Sequence, residues 1–196
     1  MMQMLRVVMF AAFLGSMVAD GGVAQQPIDF VGISAGMTMG DLHDPALDTD
    51  SRFGGTAGIL TGIRPSRNTV VNLGAHWVQK GGGETRLDYL EIPLTVGGVA
   101  LIQDGAYRSR FYTGLAMGVK LACNSEPPFL SCDDAARIEW VWPIGLLFSR
   151  WSSGDQFFAL DIRYTESLSD AFESVVVSNR SWQLRLITGI QIGNGR

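Results

Sequence analysis

The chain has 196 residues, 15 basic against 19 acidic side chains for a net charge of -4, and only 17% charged residues. That length fits one domain, and the mild acidity gives no electrostatic case for a nucleic-acid partner. The 24 glycines exceed average usage of about 7% and suit closely packed, tightly filled strands.

Arg6, the apolar run from Val7 to Val18 and the small residues Gly22-Val23-Ala24 have the order of a secretory signal. A cleaved signal peptide is expected over residues 1–24, leaving 25–196 as a single domain that has lost Arg6 and Asp20 and keeps the charge of -4. The apolar run is too short to span a bilayer and breaks at Asp20-Gly21-Gly22. No later stretch is a continuous apolar helix of spanning length, so entry into a membrane requires strands.

Eight alternating segments follow. The first, from about Ile28 to Met39, sets Val31, Ile33, Ala35 and Met37 against Gly32, Ser34 and Gly36, and a long polar loop is expected from Gly40 to Arg52. A second runs near Gly54 to Arg64 and turns at Pro65-Ser66-Arg67-Asn68, residue types that favour turns. The third, Thr69 to Gln79, alternates Val71, Leu73, Ala75 and Trp77 with Asn72, Gly74 and His76, and a loop is expected from Lys80 to Glu84. In the fourth, Leu87 to about Gly97, Pro93 predicts a bulge or a lost ladder bond, because a closed barrel has no edge on which to place a proline.

Beyond a connection around Gln103 to Ala106, the fifth segment from Arg110 to Leu121 is the clearest. Phe111, Thr113, Leu115, Met117, Val119 and Leu121 fall on one face, and Arg110, Tyr112, Gly114, Ala116, Gly118 and Lys120 on the other. The sixth runs from Arg137 to Ser149 and turns at Ser152 to Asp155; the seventh runs from Phe157 to Thr165. After a loop from Glu166 to Arg180 comes the eighth, Trp182 to Ile192. Cys123 and Cys132 lie in one polar loop, and an exported chain should join them as a disulfide. A metal site is not expected, since neither His43 nor His76 stands at ligand-like spacing from the cysteines, and no cofactor is implied.

Apolar residues on one face and small or charged ones on the other invert the pattern of a soluble sandwich. They predict an all-β fold, a closed antiparallel eight-stranded transmembrane β-barrel with up-and-down connections, short inner turns, longer outer loops and both termini periplasmic, in the outer membrane of a Gram-negative bacterium. Two aromatic belts are expected, Trp77, Trp140, Trp142, Tyr164 and Trp182 toward the outer rim and Phe111, Phe148, Trp151 and Phe158 toward the inner. Lys80, Glu91, Arg110, Lys120, Glu139, Asp161, Arg163 and Arg185 face inward, where an eight-stranded barrel has room only for side chains. A paired charge network is expected there, because unpaired buried charge is costly. The pairing itself is left open by alternation, which sets Glu91 and Glu139 among Arg110, Arg163 and Arg185.

At Tyr89-Leu90-Glu91-Ile92-Pro93-Leu94 the chain resembles the PorT-type outer-membrane β-barrel family. The glycine-rich second strand, the turn at Pro65, Gln79-Lys80-Gly81 and Leu160-Asp161-Ile162-Arg163-Tyr164 are similar in order and position. The chain departs from such barrels at its end, Ile190-Gln191-Ile192-Gly193-Asn194-Gly195-Arg196, where an aromatic residue read by the insertion machinery is common. The resemblance implies an eight-stranded membrane barrel and no catalytic activity.

The expected partners are therefore outer-membrane lipid, the barrel-insertion machinery and a protein or surface ligand at the outer loops, with contacts from Asp41 to Asp50, from Cys123 to Cys132 including Pro127, Pro128 and Phe129, and from Glu166 to Ser178. Three other functions compete. A narrow pore needs an open lumen; a lipid-modifying enzyme needs a serine beside a histidine base, and Gly-x-Ser-x-Gly is absent. A soluble lipocalin-like barrel needs its apolar face turned inward.

Overall fold

The computed structural model describes residues 28–44, 47–48, 50–66, 69–104, 107–125, 131–152, 155–172 and 177–192. The expected signal peptide, Arg67-Asn68, Pro127 to Phe129 and the C-terminal Gly193 to Arg196 lie outside the described residues. Eight long strands follow one another around the fold: β1 (Phe30–Asp44), β3 (Arg52–Ile63), β4 (Thr69–Gly82), β5 (Thr85–Asp104), β6 (Tyr107–Asn124), β7 (Ile138–Trp151), β8 (Gln156–Ser167) and β9 (Ser178–Gln191). The two-residue β2 (Leu47–Asp48) folds back on the end of β1. Every pairing is antiparallel, and β1 closes on β9 from Phe30 opposite Gln191 to His43 opposite Ser178. The result is a closed, up-and-down eight-stranded barrel, as the alternation predicts.

The faces sort as expected. Leu186 is 70% exposed and Ile33 60%, whereas Glu91 and Glu139 are 0% and Arg185 1%. A soluble protein buries its leucines and solvates its charges; here the outer wall is apolar and the ions are inside. No helix among the described residues is long and apolar enough to cross a membrane.

Strand lengths differ from the sequence expectation at the loop end of the barrel. β1 continues through Asp41 to Asp44, so the expected loop from Gly40 begins late and contains a small hairpin. Lys80, Gly81 and Gly82 belong to β4, leaving Gly83 and Glu84 as the turn. Gly81 (φ 122°) and Gly83 (φ 53°) hold left-handed conformations that side chains resist, and at Gly81 a Cβ would also meet the Thr85 carbonyl, which confines that position to glycine. β8 and β9 likewise extend into the loop expected over Glu166 to Arg180, reducing it to residues 168–177. The physical reason is common to all: beyond the apolar band both faces become polar, so hydropathy stops alternating while the hydrogen-bond ladder continues.

Pro93 costs a ladder bond rather than making a bulge. Leu73 pairs with Leu94 and His76 with Glu91 in unchanged register, and the pairs between them are missing. The same gap appears between β6 and β7 beside Pro143, where Thr113 pairs with Ile144 and Ala116 with Val141. There the Thr113 hydroxyl donates to the Pro143 carbonyl at 3.1 Å and accepts from the Trp142 indole Nε1 at 2.8 Å. A polar residue on the apolar wall thus satisfies a carbonyl that the proline gap exposes, which matters where no water can do so.

Candidate functional site

The barrel interior is built in three layers. At the end holding the termini, Phe30, Val70, Phe157, Ala159 and Ile187 form a buried apolar floor, flanked by Leu60, Leu147 and Trp151. Phe157 meets Phe30 edge-on at 5.3 Å and stacks on Trp151 at 4.9 Å. Aromatic pairs of this geometry contribute about 0.5–1.5 kcal/mol each beyond the area they bury. Trp151 therefore does not join the inner aromatic belt: it shares odd parity with Glu139 and Val141 on β7 and faces the lumen, 5.5 Å from the Arg108 guanidinium.

The middle layer is ionic and comes as two clusters. On β4, β5 and β7, the Lys80 ammonium lies 2.5 Å from Glu91 Oε1 and 3.4 Å from Glu139 Oε2. Register explains the meeting: Glu91 and Glu139 both pair with Gly118 of β6, so two carboxylates flank a position without a side chain. On β8 and β9, Asp161 accepts from Arg185, whose Nε is 2.9 Å away and whose Nη2 also bonds it. The Tyr112 hydroxyl donates to Asp161 Oδ1 at 2.5 Å and accepts from Arg163 Nε at 2.9 Å. Gly145 makes this possible, because it lies between Tyr112 and Arg163 in the register and a Cβ there would stand 2.5 Å from the tyrosine ring. One cluster holds one cation and two anions, the other two cations and one anion.

The top layer is a lid. Leu42 and Leu87, with Tyr89, pack against Ala135, Ala171, Phe172 and Val177 of the two long loops, and Cys123 borders the group. An antiparallel bridge joins Ala135 to Phe172, and Ala136 N donates to Ala171 O at 2.9 Å. Cys123 and Cys132 are joined as the expected disulfide. The described parts of the two loops thus fold onto the barrel mouth and onto each other.

The inward charges do not form one network. Among the described residues Lys120 meets no carboxylate; its ammonium donates to the backbone carbonyls of Cys132, at 3.3 Å, and Ala135, fastening the disulfide loop from below. Arg110 joins neither cluster and lines a small cavity between the floor and the ionic layer. Glu91 and Glu139 meet Lys80, not the arginines among which alternation sets them. Sequence inspection also missed Tyr112 and the Asp29 to Arg64 ion pair at 2.9 Å near the floor. Tyr112 was detectable, since it shares the parity of Arg110. Of the outer belt, Trp77, Trp140 and Trp182 are exposed on the wall and Tyr164 packs on Trp182 at 5.1 Å; Trp142 is half-buried over Thr113. Phe111, Phe148 and Phe158 are exposed at the other end.

His76 lies next to a serine. Its Nδ1 is 3.2 Å from Ser34 Oγ, both residues being buried in the lumen. Strand closure brings them together from 42 residues apart, so no local motif marks the pair. His43 is exposed at the far end of β1 and pairs with Ser178 of β9. No group of three His, Cys, Asp or Glu residues suited to a metal occurs among the described residues.

The chain matches no protein-family model and no curated protein sequence. Its fold is similar to that of solved structures. Neisserial surface protein A aligns at 11% identity with a TM-score of 0.56, over 83% of this chain and 97% of that one. The outer membrane protein OprG from Pseudomonas aeruginosa aligns at 11% identity with a TM-score of 0.54, over 86% and 97%.

Proposed function

We propose that the protein is an integral outer-membrane barrel with a plugged lumen, and that its work is recognition or structural support at the disulfide-pinned outer loops. The observation that carries this is the inverted burial: an apolar wall with Leu186 70% exposed around an interior of fully buried ions. In water that wall would be a very large exposed apolar patch, which soluble monomers rarely tolerate. The aromatic residues near both ends of the wall and the fold shared with outer-membrane barrels support the same placement. Outer-membrane lipid and the insertion machinery are then its obligatory partners, and a protein or surface ligand is the partner sought by the loops. Within such barrels, the Tyr89 to Leu94 strand favours the PorT-type family.

A plug is favoured over a pore because the floor, the two ionic clusters and the lid follow one another along the axis. A non-catalytic role is favoured over lipid hydrolysis because Ser34 and His76 are packed inside the lumen, away from any face where an acyl chain docks. Membrane fractionation with heat-modifiable gel mobility should place the protein in the outer membrane; recovery as a soluble periplasmic product would refute the assignment. In planar bilayers the purified barrel should give no large steady current, and sustained single-channel conductance would replace the plug with a pore.

A further inference from the structure

Between the apolar floor and the ionic layer lies a cavity of about 40 Å³. Three arginines line it, Arg110, Arg163 and Arg185, and Asp161 is its only carboxylate among the described residues. Asp161 is already engaged by Arg185 and by Tyr112. Arg163 is 5% exposed and Arg185 1%, yet Nη1 of each is buried with no hydrogen-bond partner among the described residues. Arg110 faces the same space and forms no described ion pair. Guanidinium groups stay charged at any physiological pH, so proton loss cannot relieve this excess. Asp161 is shared as ion-pair partner between Arg185 and, at 3.9 Å, Arg163, so the lining keeps a positive excess, and incompletely compensated buried cations are unfavourable.

We propose that the cavity is a binding site for a small inorganic monoanion, chloride being the natural one, held by Arg163 Nη1 and Arg185 Nη1 with Arg110 adding its field. Volume sets the class of ligand. The cavity exceeds the roughly 10–15 Å³ that one water-sized particle requires, and is far below the roughly 300–1,000 Å³ of organic-ligand pockets. A lipid headgroup or an organic acid does not fit. Charge sets the sign: Glu91 of the neighbouring cluster also acts on Arg163, but in the cavity lining itself three cations face one engaged anion, which selects an anion over a cation. The aromatic and aliphatic floor below keeps the site at low dielectric, which strengthens each contact to the ion.

The test uses the refolded full barrel. Crystals grown in bromide should show an anomalous peak in the cavity within hydrogen-bond distance of Arg163 Nη1 and Arg185 Nη1. In detergent micelles, replacing gluconate by chloride at constant ionic strength should raise the urea midpoint in a saturable way. Arg110→Gln, which touches neither ion-pair cluster, should weaken the apparent chloride affinity at least tenfold. A cavity that stays free of anomalous density in bromide overturns the site. So does an unchanged midpoint throughout the chloride series, or an undiminished response in the Arg110→Gln variant. A bromide peak without any chloride-dependent midpoint would mean an adventitious ion only, and would also overturn it.

Discussion

Replacing Lys80 should be the most damaging single change in the lumen. Its ammonium is the only cation within ion-pair distance of Glu91 and Glu139 among the described residues, and all three side chains are at most 1% exposed. At an effective dielectric of about 20, the 2.5 Å contact is worth about 7 kcal/mol and the 3.4 Å contact about 5 kcal/mol before desolvation. Desolvating the ions cancels much of that gain, and removing one partner of such a group typically costs a net of about 3–5 kcal/mol. Lys80→Met should reach the top of that range, because two carboxylates lose the one cation within ion-pair distance among the described residues. Glu91→Gln leaves one lysine facing one carboxylate and should cost only about 1–2 kcal/mol, mainly an impaired hydrogen bond. Urea unfolding in lipid vesicles, followed by tryptophan fluorescence and gel mobility, reads the difference. With a slope of about 2 kcal/mol per molar urea, Lys80→Met should lower the midpoint by about 2.5 M. The triple change Lys80→Met, Glu91→Gln, Glu139→Gln should recover most of the loss, since uncharged groups of similar size carry no such penalty. If Lys80→Met costs no more than Ile92→Ala on the outer wall, the cluster is not holding the barrel.

Intact protein from an oxidising compartment should weigh two hydrogens less than its reduced form, and Cys123→Ser should lose at most about 2–3 kcal/mol because the closed loop is short. Trp151→Ala should cost about 3–5 kcal/mol as a core aromatic, clearly more than Phe158→Ala on the outer wall, in the same urea assay; equal costs would put Trp151 back on the wall. Brominated lipids should quench a variant whose sole tryptophan is Trp182 and spare one retaining only Trp151. Lys120→Met should leave the stability within about 1 kcal/mol of the parent yet speed proteolysis between residues 125 and 137, because among the described residues it removes bonds to two loop carbonyls and no ion pair.

Parity was legible and partnership was not. From Phe111, Thr113 and Leu115 onward, a period of two assigns each side chain to the wall or the lumen, and that suffices for a closed barrel of eight strands. The same rule applied to Trp151 would have turned it inward; treating it as a belt residue relied on its position near a strand end and ignored its parity. Lys80 illustrates the opposite limit. It stands 59 residues from Glu139, and only closure of the sheet brings them together. Lys120 was set inward by parity, but its acceptors are carbonyls of a loop folding back over the mouth, a tertiary event that no strand pattern encodes. The apolar floor was hidden for a related reason: Phe30, Phe157 and Ile187 are apolar on the inward face and weaken the alternation where the interior needs filling.

Tyr89 ties the loops to the ionic layer. Its side chain is fully buried in the lid beside Leu87 and Phe172, and the Lys80 ammonium lies 5.6 Å from the centre of its ring. The strand carrying it places Glu91 two residues further along the same face. A loop rearrangement large enough to lift Phe172 from Leu87 and Tyr89 would expose the ring and open the Lys80 cluster to water. Unfastening the lid therefore perturbs both apolar burial and ion pairing, and the loop bases should be among the last parts of the mouth to open. A partner meeting this surface meets a preformed base bearing the disulfide. In the proposed recognition role, binding energy is then not consumed in ordering that base.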